Sequence, residues 1–109
     1  MKPLKPAEFH ILISLAGGPS HGLGIAEAVD EATGGTTRLG PATLYRSLRQ
    51  LEERGLIQGA PAPSGEDDPR RRFVAITAAG RAQAAAEAER LQSLLAFAAR
   101  NRVIEDRQG

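Results

Sequence analysis

Glycine and proline punctuate this chain so closely that they limit how long each element can be. The pairs Gly17–Gly18 and Gly34–Gly35, the dipeptide Gly40–Pro41, the lone Gly55 and the turn-rich run "GAPAPSGEDDP" divide it into short segments. Helices stop at such places because glycine accepts the left-handed backbone that closes a helix. Proline suits the first helical position, where its missing N–H costs nothing. Between the breaks remain segments for three short helices, two brief apolar runs and one long alanine-rich stretch.

Each segment has its own pattern. Pro6 opens a first helix in which Phe9, Leu12 and Ile13 fall at helical spacing, with Ala16 extending the stripe. Ser20 is expected to cap a second helix that buries Ile25, Ala26 and Val29. "TTRL" reads as a short extended piece. Gly40 caps and Pro41 begins a third helix, which Gly55 closes while Leu56 folds back on the last turn. "LIQ" and "RRFVAIT" then read as the strands of a hairpin. Thr77 caps a last helix from Ala78 to about Glu105, without the Glu that a full capping box needs. That order predicts a mainly α fold with a small β-hairpin: a winged helix-turn-helix with a long C-terminal dimerisation helix. The division expected is residues 1–77 as a DNA-binding domain and 78–109 as dimerisation helix and tail.

Several function classes drop out. The sequence has 109 residues, one domain's worth, and 0 cysteines, so neither disulfides nor thiolate metal sites are available. No apolar run approaches the roughly 20 residues of a membrane span, and "MKPLKPAEF" lacks the apolar core of a signal peptide. A cytoplasmic protein is expected. No GxSxG, P-loop, HExxH or paired-carboxylate arrangement is present, so no enzyme and no cofactor are expected. "GLGIAE" lacks the third glycine and the preceding strand of a dinucleotide loop, and its glycines are read as allowing neighbouring helices to approach. His10 lies among apolar neighbours as a structural residue. His21 is not spaced from it as a helical metal pair requires, so no metal site is expected.

Net charge is only +1, but positive charge is local. Residues 34–54 hold four Arg against two acids, and 55–77 place Glu66, Asp67 and Asp68 ahead of Arg70, Arg71 and Arg72. On a wheel of the third helix, Leu44, Leu48 and Leu51 form one edge, and Thr43, Arg46, Arg49, Gln50 and Glu53 lie opposite. Arg46, Arg49 and Gln50 are side chains that can read base edges in the major groove, arginine favouring guanine and glutamine adenine. The acids Glu52 and Glu53 stand back at the C-terminal end, as suits a helix that enters the groove with its N-terminal part leading. Arg38, just ahead of the helix, joins this DNA-binding set. Tyr45, at the border of the leucine edge, either offers its hydroxyl to a phosphate or merely packs. The arginines of the hairpin can grip phosphates beside the groove, with counterion release supplying affinity; the bland alternative is a loop whose acids neutralise them.

The combined pattern resembles the PadR family of bacterial transcriptional regulators, in its short form. "FHILISLAGGPSHGLGI" is similar to the family's first helix and turn, "GGTTRLGPATLYRSLRQLEERGLI" to its recognition segment, and "EDDPRRRFVAITAAGR" to its wing and following helix. These cover most of residues 4–82. The resemblance implies a homodimeric DNA-binding regulator, usually a repressor, dimerised by its C-terminal helix. It maps Thr43, Tyr45, Arg46 and Arg49 to the recognition helix and Arg70 to Arg72 to the wing. Leu23 departs from the aromatic residue often found after "HG", and Phe73–Val74 from a commoner aromatic pair.

The last helix supports a dimer independently. From Ala78 to Glu105 it would run roughly 40 Å, well beyond a domain whose radius of gyration is about 13 Å. Along it Ala84, Ala88, Leu91, Leu95 and Ala98 recur at near-heptad spacing with Leu94 beside them. That stripe predicts pairing with a second copy, joined by Phe9 or Leu12 of the first helix, on double-stranded palindromic DNA. Many relatives in the family respond to small aromatic molecules near the dimer interface, and Leu94 with Phe97 could line such an effector site. The alternative function is a winged-helix module that uses its arginines to bind an acidic protein partner.

Overall fold

The computed structural model describes residues 2–105; the expected tail beyond Glu105 lies outside them. The elements run α1 (Pro6–Ala16), α2 (Gly22–Ala32), α3 (Pro41–Glu53), β1 (Ile57–Ala60), β2 (Phe73–Ile76) and α4 (Ala78–Arg100). The architecture is the mainly α winged helix expected, with a two-stranded antiparallel sheet in register from Ile57 opposite Ile76 to Ala60 opposite Phe73.

The core gathers one face from each element: Ile11, Leu12 and Leu15 of α1, Ile25 and Val29 of α2, Leu44 and Leu51 of α3, then Leu56, Ile57 and Val74 from the hairpin. The buried stripe of α1 is therefore Glu8, Ile11, Leu12 and Leu15, not Phe9, Leu12, Ile13 and Ala16. Ile13 is 51% exposed. Both sets have helical spacing, and a charged residue inside the true stripe disguises it. The same burial corrects the dimer assignment of Leu12, which at 0% exposure is wholly consumed by its own subunit's core.

Local chemistry then sets the breaks. Pro41 opens α3 behind Gly40, and Gly55 closes it at φ +72, a left-handed backbone that glycine adopts without penalty. Leu56 N–H folds back to the Leu51 carbonyl at 2.9 Å. The cap of α2 is His21, not Ser20: its Nδ1 accepts the Gly24 N–H at 3.3 Å. Ser20 is otherwise engaged, exchanging backbone hydrogen bonds with Val74 at 3.1 and 2.9 Å and extending the sheet by one bridge. Between α2 and α3, where "TTRL" was expected to supply a short strand, none forms; Thr37 instead donates its N–H to Thr33 Oγ1 at 3.1 Å.

Thr77 joins the hairpin to α4. Its hydroxyl donates to the Gly55 carbonyl at 2.7 Å and accepts the Gly80 N–H at 3.0 Å, so one side chain caps α4 and ties it to the end of α3. The first turns of α4 lie on the domain, with Gly80 and Gln83 buried and Ala84 packed partly against the core. Ala84 is thus drawn toward its own subunit as well. Gly80 is obligatory there, because a Cβ at this position would lie 2.2 Å from the Leu56 carbonyl oxygen. Beyond Ala84 the helix leaves the domain, and the molecule extends 51 × 30 × 27 Å.

Helix α4 ends at Arg100, five residues before Glu105. Asn101 donates its side-chain amide to the Phe97 carbonyl at 3.1 Å, and Arg102 takes a left-handed φ of +59. The N–H groups of Arg102 and Val103 then close on Ala99 and Ala98, at 3.1 and 2.9 Å. This is the reciprocal closure usually built on glycine, carried here by an arginine, and so invisible to a search for glycine stops.

Candidate nucleic-acid interface

Because Leu44, Ser47 and Leu51 of α3 are buried, the opposite face must turn outward. On it Arg46 and Arg49 are exposed, while Thr43 and Gln50 are half-buried at its edges. Among the described residues neither Arg46 nor Arg49 has an ion-pair partner. Their guanidinium donors are therefore available to an incoming acceptor.

Tyr45 is 58% exposed and leans over the first turn of α2, where a Cβ on Gly22 would stand 3.1 Å from its hydroxyl. Gly22 thus serves the close helix approach read from the sequence. Gly24 does not, since a Cβ there would meet Ser20 Oγ of its own turn at 2.5 Å. A cleft of about 320 Å³ opens between the start of α2, the face of α3 and the wing, lined by His21, Leu23, Tyr45, Leu48, Arg71 and Val74 among others. The His21 ring stands edge-on to Phe73 at 5.1 Å between centroids, so the residue that caps α2 also braces the base of the wing. His10, by contrast, spends its Nδ1–H on the Pro6 carbonyl at 2.6 Å.

The wing arginines precede β2, which begins at Phe73, so Arg71 and Arg72 are loop residues and not the strand residues expected. Each of the three is paired. Arg70 Nε lies 3.4 Å from Asp68 Oδ1, and Arg71 reaches Glu66 at 3.4 Å and Asp68 at 3.9 Å. Arg72 bonds Glu52 on α3, a hydrogen bond that holds its guanidinium pKa above the ordinary arginine value. Arg38, its side chain 81% exposed, lies 3.5 Å from Asp30 on α2. Neutralisation by Glu66, Asp67 and Asp68 was the bland alternative for the loop; Glu66 and Asp68 do pair with its arginines, and Asp67 joins no ion pair among the described residues. The Glu52–Arg72 link spans 20 residues of sequence, and no local signal announces it.

On α4, Leu94, Leu95 and Phe97 are 53–58% exposed, Ala88 is exposed, and Leu91 and Ala98 are half-buried, as is Phe9 of α1. The Arg100 guanidinium lies 5.7 Å from the centre of the Phe97 ring. This leaves an apolar strip on the part of the helix that has left the domain.

Comparison with known proteins decides the family. The model of the transcriptional regulator PadR-like family matches residues 11–86, from the core of α1 through the wing to the start of α4. The chain belongs to this family. It has the winged-helix fold of a PadR-like transcriptional regulator. Among solved structures, a PadR family transcription regulator from Clostridium difficile superposes with a TM-score of 0.76 at 19% identity, covering 88% of this chain and 97% of that one. A transcriptional regulator from Clostridium thermocellum gives 0.72 at 23% identity, covering 91% and 90%. A putative transcriptional regulator from Thermoplasma acidophilum gives 0.67 at 24% identity, covering 92% and 93%. At these identities the likeness is one of fold. An uncharacterized 37.1 kDa transposon protein of Streptomyces fradiae is 37% identical over 75 residues, 69% of this PadR-like chain. The matched stretch is 20% of that protein, so the chain spans about a fifth of the length of the curated relative it matches. No helix of the described residues is long and apolar enough to cross a membrane.

Proposed function

We propose that this PadR-like regulator is a homodimeric, cytoplasmic repressor that sets α3 into the major groove of a palindromic operator and is released by a small-molecule effector. The observation that carries the reading is the pair Arg46 and Arg49, exposed and, among the described residues, free of carboxylate partners on the outer face of a helix whose other face is locked in the core. Thr43, Tyr45 and Gln50 flank them. Arg38 and Arg70 to Arg72 border the same face as phosphate contacts, with residues 1–77 as the reading head.

The dimer rests on α4. Leu91, Leu94, Leu95 and Ala98, with Ala88 and Phe9, offer the apolar surface a second copy would cover. Residues 78–109 then form the dimerisation part, with α4 as the coupling rod, and two recognition helices held about 34 Å apart address successive major-groove faces. Leu94 and Phe97, exposed on the same strip, are the residues proposed to meet an effector.

Selection of bound duplexes from a random pool tests the reading. Inverted repeats with half-sites one or two helical turns apart are expected. A pool that shows no enrichment, together with no duplex binding at low salt, would defeat it.

A further inference from the structure

The wing carries its own counter-ions. Asp68 Oδ1 accepts the Arg70 backbone N–H at 3.0 Å and stands 3.4 Å from its Nε, while Glu66 lies 3.4 Å from Arg71 and Glu52 of α3 bonds Arg72. The Glu66 and Asp68 side chains are drawn inward, 12% and 31% exposed, whereas that of Arg70 is 91% exposed. Their neighbour Asp67 is exposed and joins no ion pair among the described residues.

We propose that Glu52, Glu66 and Asp68 act as internal stand-ins for DNA phosphate, holding the wing arginines until a duplex displaces them and so setting the affinity at which the regulator binds. The proposal rests on the DNA-binding reading above. Carboxylate and phosphate compete for the same guanidinium fork. An exposed ion pair is weak and screened by salt, so it cannot block a duplex that presents one negative charge per about 1.7 Å of axis; it subtracts from the binding instead. Contacts limited to phosphate have no base hydrogen bonds to offset that loss, so they fall below useful affinity first. Among the described residues the exposed helix arginines Arg46 and Arg49 carry no such brake, which leaves base reading uninhibited while backbone gripping is held back.

The test uses the intact protein and a labelled duplex of arbitrary sequence, followed by fluorescence anisotropy at about 0.1 M salt. Glu66→Gln and Asp68→Asn keep the oxygen that accepts the wing's backbone bonds and remove only the charge. Each is expected to tighten binding by roughly 1.5-fold to fivefold, the range an exposed pair supplies, and adding Glu52→Gln should tighten it further. Asp67→Asn removes the same charge one residue away and should change affinity distinctly less. Equal gains from Asp67→Asn and Asp68→Asn would overturn the proposal in favour of general charge. Weaker binding by the variants would overturn it in favour of a purely architectural role. Wild-type protein that ignores every duplex at low salt would bring down the DNA reading itself, a result distinct from the other two.

Discussion

Glu8 in the first helix and Arg54 at the end of α3 face each other across the edge of the core, carboxylate to guanidinium at 3.7 Å. Glu8 is 3% exposed and also accepts the Lys5 N–H at 2.8 Å, so the residue that starts α1 anchors α3. Arg54 donates in turn to the Lys2 carbonyl at 2.6 Å, an oxygen that Gln83 of α4 reaches at 2.7 Å. Three helices thus share one polar node, and Arg54 Nη1 has no hydrogen-bond partner within it.

Removing one member of that node should cost more than removing two. Glu8→Ala leaves a largely buried guanidinium without its counter-charge and is expected to lower unfolding free energy by about 2–4 kcal/mol. The double variant Glu8→Leu with Arg54→Met should lose less than Glu8→Ala alone. Urea denaturation measures both, and a Glu8→Ala cost below about 0.5 kcal/mol, typical of a surface site, would refute the account.

Gly80→Ala should destabilise although alanine is the better helix former. The propensity gain is about 1 kcal/mol, but the new Cβ would lie 2.2 Å from the Leu56 oxygen and 2.8 Å from Ile76 Cγ1. Separating α4 from the hairpin to relieve this is expected to cost about 1–3 kcal/mol net. A melting temperature at or above that of the wild type would contradict the packing described.

Leu95→Asp puts a charge into the proposed dimer strip at a site 58% exposed in the single subunit. The domain should fold unchanged by circular dichroism. Light scattering should report monomers, and operator affinity should collapse because the two half-sites are no longer linked. A variant that stays dimeric would exclude this strip as the interface.

Arg46→Ala and Arg71→Ala should separate base reading from phosphate gripping. The first is expected to weaken the selected operator by about 1–3 kcal/mol and relax its sequence preference. The second should weaken all duplexes alike and reduce the salt slope by about one. Anisotropy titrations across a salt series distinguish them, and interchangeable behaviour would reject the division of roles.

The breaks and the outward face of α3 were legible because they are local. Gly55, Pro41 and the spacing of Leu44, Leu48 and Leu51 act within a turn or two of backbone, so their consequences follow from neighbours in the chain. The family pattern lies in the same stretches. Where two local patterns were equally good, as on α1, periodicity could not choose between Ile13 and Leu15. Arg102 likewise closed α4 without the residue type that normally signals such an end.

Tertiary contact decided the rest. The chain alone determined a winged helix with a cationic outer face on α3 and an apolar strip on its last helix, since element lengths and faces are set by short-range sterics and hydrophobic period. Only the folded molecule determined that Glu8 faces Arg54, that Leu12 is spent in its own core, that Glu52 holds Arg72 and that Ser20 leaves the capping of α2 to His21. Each of these depends on which group arrives from a distant segment to satisfy a charge, fill a cavity or complete a backbone hydrogen bond.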